Sequence, residues 1–209
     1  MQTARAASID HYMAFPEDMV DGRKVSEYVN RWWQWTYTMP EDQSPVHDLT
    51  GAHCDAKQEG EVWFLAGGYG SSTITRSCVI PEGRYIFFPV INMVYWPRYE
   101  GSLTCDEAKR RAALNNDELL TIEVSLNSVS AWNPANTRIA SEQCFDLLGM
   151  LPREINPPRV YPAATDGYWL MLKPLPKGEH VLKFQAQYDK EKTPYGKMLQ
   201  DIEYHLTIQ

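Results

Sequence analysis

Apolar positions in this chain recur with two different spacings. From Lys24 to Thr38, Val25, Val29, Trp32, Trp33 and Thr36 fall at helical intervals, which predicts a helix stopped by Met39-Pro40. Tyr28 and Trp35 lie on the edge of that stripe. The helix therefore carries more aromatic surface than one buried face needs, with Trp32 and Trp33 assigned to the core and Trp35 to a pocket wall. Beyond residue 61 the spacing changes. Val62–Ala66 is a short apolar run, Gly67-Gly68-Tyr69-Gly70 breaks it, Thr73–Ile80 alternates, Pro81-Glu82-Gly83 turns the chain, and Tyr85–Ile91 is apolar on both faces. This pattern predicts a three-stranded antiparallel meander. Within it Arg76 shares a face with Ile74, Cys78 and Ile80, and Asn92 falls on the side of Ile86, Phe88 and Val90. An inward guanidinium needs a partner or a cavity. Asp48 is the expected ion-pair partner.

The remaining pattern alternates helix, strand and turn. Leu103–Asn116 reads as a helix, with Thr104 as its cap and Glu107 completing a capping box. Leu119–Leu126 alternates, so that Leu120, Ile122, Val124 and Leu126 are expected to point inward. Residues 127–165 hold little period, with Pro157-Pro158 among their prolines; loops are expected there, with a short strand near Arg138 and an apolar patch at Phe145–Leu151. Tyr168–Leu172, Glu179–Gln187 and Asp201–Gln209 read as strands, and His180 on an inner face reads as a satisfied core residue. Residues 1–22 form an arm and residues 23–209 a single domain. The expected architecture is mainly β: an antiparallel β-sandwich or jelly-roll with two peripheral helices, or alternatively a distorted barrel.

Composition narrows the partners. The net charge of −7 and a pI near 5.2 argue against a nucleic-acid partner, since Lys109-Arg110-Arg111 is the one basic run and reads as a solvated helix face. No apolar run approaches the ~18 residues that a membrane span needs. The opening MQTARAASIDHY has no apolar core of a leader, which leaves a cytosolic protein or one that starts after a removed leader. The four cysteines form no CxxC. Folding across the meander could join Cys54 to Cys78 and leave Cys105 with Cys144; the competing reading is four buried thiols. In the polar loop 41–57 the spacing of His47 and His53 matches no metal-ligand pair, and Asp48 before Thr50-Gly51 fits an Asx-turn.

Signatures of nucleophilic, phosphate-binding, dinucleotide or zinc chemistry are absent, and no cofactor is expected. Two readings remain. In the first, a small-molecule or sugar binding protein has a pocket walled by Trp33, Trp35 and Tyr168, with Asp48, Arg76 and Asn92 orienting the ligand. In the second, a metal-independent lyase, isomerase or cyclase moves a proton with Asp48 or His53 while Arg76 stabilises negative charge. The blocks WWQW, DLTGAHC, Gln58 and Gly60 with VWFLAG, Arg76-Ser-Cys78 with Pro81, FPVIN, and DGYWLMLKPLPKGEH occur in that order. Over residues 24–209 they resemble a family of uncharacterised bacterial proteins commonly made with a secretion leader. The resemblance implies an extracytoplasmic setting and a Cys54–Cys78 disulfide, and transfers no activity. The chain departs from the family in its longer N-terminal arm and in lacking the leader.

Overall fold

A computed structural model describes residues 8–69, 72–97, 103–131, 133–155, 159–190 and 196–209. In chain order the elements are β1 (Met13–Ala14), β2 (Met19–Val20), β3 (Arg23–Lys24), α1 (Tyr28–Thr36), β4 (Val62–Phe64), β5 (Thr73–Ile80), β6 (Tyr85–Tyr95) and α2 (Cys105–Ala113). They continue with β7 (Leu119–Leu126), β8 (Val129–Ser130), β9 (Arg138–Ala140), β10 (Ala164–Leu172), β11 (Gly178–Lys190) and β12 (Gly196–Ile208). One sheet runs β1-β10-β6-β4 with β9 also on β10, the other runs β5-β12-β11-β7-β8, and β2 and β3 form a separate hairpin. Both large sheets are mixed. The pairs β4 with β6 and β5 with β12 are parallel, and the rest are antiparallel. Among the described residues neither sheet closes into a barrel.

The two sheets share one apolar core. Ile86, Phe88, Leu170 and Leu172 from the first meet Leu182, Phe184, Ile202 and Leu206 from the second. The first sheet is also covered on its other face, where Phe87, Trp169 and Met171 pack against Val29, Trp32 and Trp35 of α1. The rings of Phe87 and Trp169 stack at 5.4 Å, and Trp32 meets Trp169 edge-on at 5.5 Å. Burial on both faces explains why every residue of β10 is buried, whereas β5, with one face outward, alternates strictly. Ile9 and Met13 of the N-terminal segment belong to the same core, and β1 pairs with the end of β10.

Four sequence expectations are corrected. The stretch from β4 to β6 is no meander, because β5 leaves for the second sheet and β4 lies parallel to β6. The antiparallel expectation fails for the same two pairs. In β6, Ile91 pairs with Tyr168 and Pro89 with Trp169, so Val90 is an extra residue in a bulge that resets the alternation. Asn92 consequently leaves the side of Phe88 for that of Val94, Gly167 and Thr165, which is the α1 side. A second bulge on β7, where Leu119 pairs with Tyr188 and Thr121 with Gln187, turns Leu120 out to 59% exposure.

Other expectations hold. Thr104 caps α2 in a full capping box with Glu107. Ile202, Tyr204, Leu206 and Ile208 point inward from β12. His180 is buried and satisfied, its Nε2 2.8 Å from the Pro176 carbonyl and its Nδ1 3.0 Å from the Asn127 amide. Two disulfides are formed, Cys54–Cys78 and Cys105–Cys144, as an oxidising environment allows. No helix among the described residues is long and apolar enough to cross a membrane. The turn expected at residues 67–70 ends in Gly70, and the Pro157-Pro158 step falls on residues 157–158, both outside the described residues.

Candidate functional site

Arg76 points inward from β5 and is 1% exposed. Among the described residues its guanidinium pairs with no carboxylate. Instead Nε donates to the Asp48 carbonyl at 2.7 Å, Nη1 to the carbonyls of Ala66 (2.8 Å) and Gly67 (2.9 Å) and to the Tyr204 hydroxyl (3.0 Å), and Nη2 to the Val46 carbonyl at 3.4 Å. The expected ion pair with Asp48 is thus a hydrogen bond to its backbone. The fork of donors suits this arrangement, because one planar cation can satisfy carbonyls from two separate segments at once. Tyr204, the β12 residue paired with Arg76, completes the network by donating to the Ala66 carbonyl at 2.9 Å. Burial raises its phenol above the usual tyrosine value, against the pull of the Arg76 charge.

Three successive β5 residues grip the loop before β4, each by a different means. Arg76 holds the Asp48 carbonyl, Ser77 donates its amide to the Thr50 carbonyl at 2.9 Å, and Cys78 is bonded to Cys54. Inside the loop the Asp48 carboxylate accepts from the amide and hydroxyl of Thr50 at 2.8 Å and from the His53 amide at 2.9 Å, which is the expected Asx-turn. Gly51 lies against the strand with φ +93°, and a Cβ there would stand 2.0 Å from the Ser77 carbonyl oxygen. The DLTGAHC block is therefore a clamp on an edge strand. Gly51→Ala should cost about 2–3 kcal/mol from the left-handed backbone and the lifted loop. Chemical denaturation checks this, and a loss under half a kcal/mol would mean that the loop adjusts freely.

Burial pushes the Asp48 carboxyl up, but the His53 and Thr50 amides, the Thr50 hydroxyl and the Arg76 charge together hold it below the usual aspartate value. A depressed folded-state value contributes stability above the ordinary range near ~4 and loses it as pH falls through the lowered value. Asp48→Asn should accordingly be less stable than the parent at pH 7, with the gap closing towards pH 3. Melting temperatures of both proteins across that range check the sign; a constant gap would remove the carboxylate's charge from the account.

Val46 and Gly67, both held by Arg76, border a cavity of about 320 Å³. It opens where β4 ends. β4 pairs only with Tyr85–Phe87, and the chain beyond it swings away from β6 through Gly67 and Gly68. Arg76 holds that segment from behind, while the Gln200 side chain exchanges hydrogen bonds with both the amide and the carbonyl of Gly68. Trp32 and Trp33 line one side, Pro89–Met93 of β6 form the back, and Tyr188, Met198 and Gln200 of the second sheet form the other side. A Cβ on Gly68 would stand 2.5 Å from Ile74 Cδ1, so any larger residue would make that side chain turn aside. Tyr69 stands at the rim, 57% exposed, its ring 4.9 Å from that of His47.

Of the residues singled out from sequence, the structure brings Trp33 and Asn92 to this cavity. Arg76 and Asp48 lie behind its wall. Trp35 is 1% exposed, donates to the Ala56 carbonyl and packs on Phe64, and Tyr168 is buried between the sheets with its hydroxyl on the Asn116 carbonyl. His53 lies in the clamp, away from the lining residues. Sequence reasoning missed Tyr188, Met198 and Gln200, whose strand positions carry no motif. Their signal is topological, because only the packing of the second sheet on the first places them beside β6. Compared with family models, with curated proteins and with solved structures, the chain matches none of them.

Proposed function

We propose that this is a small-molecule binding protein whose ligand enters the cavity between α1, β6 and the end of the β11–β12 hairpin. The observation that carries this reading is the effort invested in holding the wall open. A fully buried arginine and a buried glutamine fix Gly67 and Gly68, the segment that lines the cavity beyond the three paired residues of β4. A volume of about 320 Å³ lies at the lower end of ordinary ligand sites. In this reading Arg76 anchors the pocket as architect of its wall, and the two-sheet body is a β-sandwich serving as rigid scaffold. Acid-base catalysis by Asp48 or His53 gains no support from the cavity, which neither residue lines. The two disulfides and the sequence blocks favour a place outside the cytoplasm among the secreted bacterial proteins that the chain resembles.

Trp32 and Trp33 report on the cavity through their fluorescence. Screening neutral sugars, organic acids and aromatic compounds should find at least one that shifts emission and raises the melting temperature. Met198→Trp, which fills the cavity from the second sheet, should abolish that response. A response that survives in the filled protein would place the ligand elsewhere.

A further inference from the structure

Beyond β4 the edge of β6 is vacant among the described residues. The direction of its backbone groups follows from β10. Thr165 donates its amide to the Ser141 hydroxyl and accepts the Ser141 amide, so both its backbone groups face β9. Its cross-strand partner Val94 therefore turns its N–H and C=O away from β10, and so does Asn92, two residues earlier and opposite Gly167. The back of the cavity thus presents strand-edge donors and acceptors. Asn92 adds a side-chain amide whose Nδ2 is buried with no hydrogen-bond partner. A buried donor left without a partner is costly, and since Asn92 lines the cavity, a ligand that draws its amide outward would supply the missing acceptor. Gly167 makes room for this side chain, since a Cβ there would stand 2.6 Å from that of Asn92.

Charge is scarce around the same space. Among the described residues that line the cavity there is no carboxylate, and the one cation, Lys197, already has an interaction partner. Arg76 has its donors committed to carbonyls and a hydroxyl. What remains is amide, phenol and strand edge, together with the faces of Trp33 and Tyr69. Groups that pair a donor with an acceptor match hydroxyls, which do the same, better than they match a carboxylate or an ammonium.

We propose that the cavity takes a neutral, hydroxyl-bearing ligand, a sugar or cyclitol, with one of its oxygens accepting from Asn92 Nδ2 and its carbon face against the aromatic side. The proposal rests on the cavity being the ligand site. Calorimetric titration with D-glucose, N-acetylglucosamine, maltose and myo-inositol, set against glucuronate, glucosamine and indole, tests the class. At least one neutral compound should bind, and Asn92→Leu should weaken it tenfold or more while leaving the melting temperature of the free protein unchanged or higher, because the amide satisfies nothing within the chain. Asn92→Asp, an acceptor only, should weaken it as much. Binding of glucuronate, glucosamine or indole without the neutral compounds overturns the ligand class and leaves the cavity standing. Neutral binding that Asn92→Leu leaves untouched overturns the role of Asn92, with an ordered water as its partner. If Met198→Trp changes no titration, the reading of the cavity itself falls.

Discussion

Arg76→Met should lower the unfolding free energy by on the order of 3–5 kcal/mol, the usual cost of breaking a buried charged network. Three carbonyls from two segments lose their donor together, those of Val46, Asp48 and Gly67, while that of Ala66 keeps the Tyr204 hydroxyl. None can turn to water without tearing the segment that it belongs to out of the interior. Arg76→Lys restores the charge but not the fork, and its three donors on one point cannot reach all of them, so it should recover only part of the loss. Urea denaturation followed by circular dichroism measures both. A methionine variant within 1 kcal/mol of the parent would show that the carbonyls find other donors. The same variant should also lose its ligand, since Gly67 and Gly68 would be free to settle onto β6.

Removing the Cys54–Cys78 bond, by Cys54→Ala with Cys78→Ala, should cost about 3.5 kcal/mol for a closed segment with a sequence separation of 24. Mass spectrometry of non-reduced peptides establishes the bond in the parent. The more telling measurement combines this change with Arg76→Met. Residues 76 and 78 hold the same loop, so the two losses should be non-additive, the second costing less once the loop is free. Strict additivity would mean that the clamp consists of independent parts.

Much of the fold was legible wherever a period ran unbroken. The stripe through Val29, Trp32 and Thr36 marked α1, the capping box marked α2, and alternation in β5 put Arg76 inside. Period counting failed at Asn92, which follows the unpaired Val90 that reverses the side of the residues after it, and at Leu120, itself the unpaired residue of the β7 bulge. The meander failed for a different reason. Neighbouring strand signals usually pair, and nothing local in Thr73–Ile80 says that its partner lies at the far end of the chain. The candidate site was half legible for the same cause. Trp33 and Asn92 were found by residue type, whereas Gln200 and Tyr188 look like ordinary strand residues until the topology is known. Arg76 was noticed because a charge broke an apolar face, but its true partners were backbone carbonyls, which no sequence pattern displays.

The parallel pairing of β5 with β12 also sets an order of events during synthesis. Thr73 meets Asp201 through a hydrogen bond spanning 128 residues, so β5 leaves the ribosome long before its neighbour exists. Its outer edge can be guarded early by the Asp48–Cys54 loop, which lies close by in sequence. Its inner edge must wait. Until residues 201–208 arrive, β5 offers an unpaired edge and an apolar face to any other chain, and such distant contacts make folding slow. The last strand is therefore the keystone of the second sheet, and shortening it should leave nascent chains prone to aggregate rather than yield a slightly weakened product.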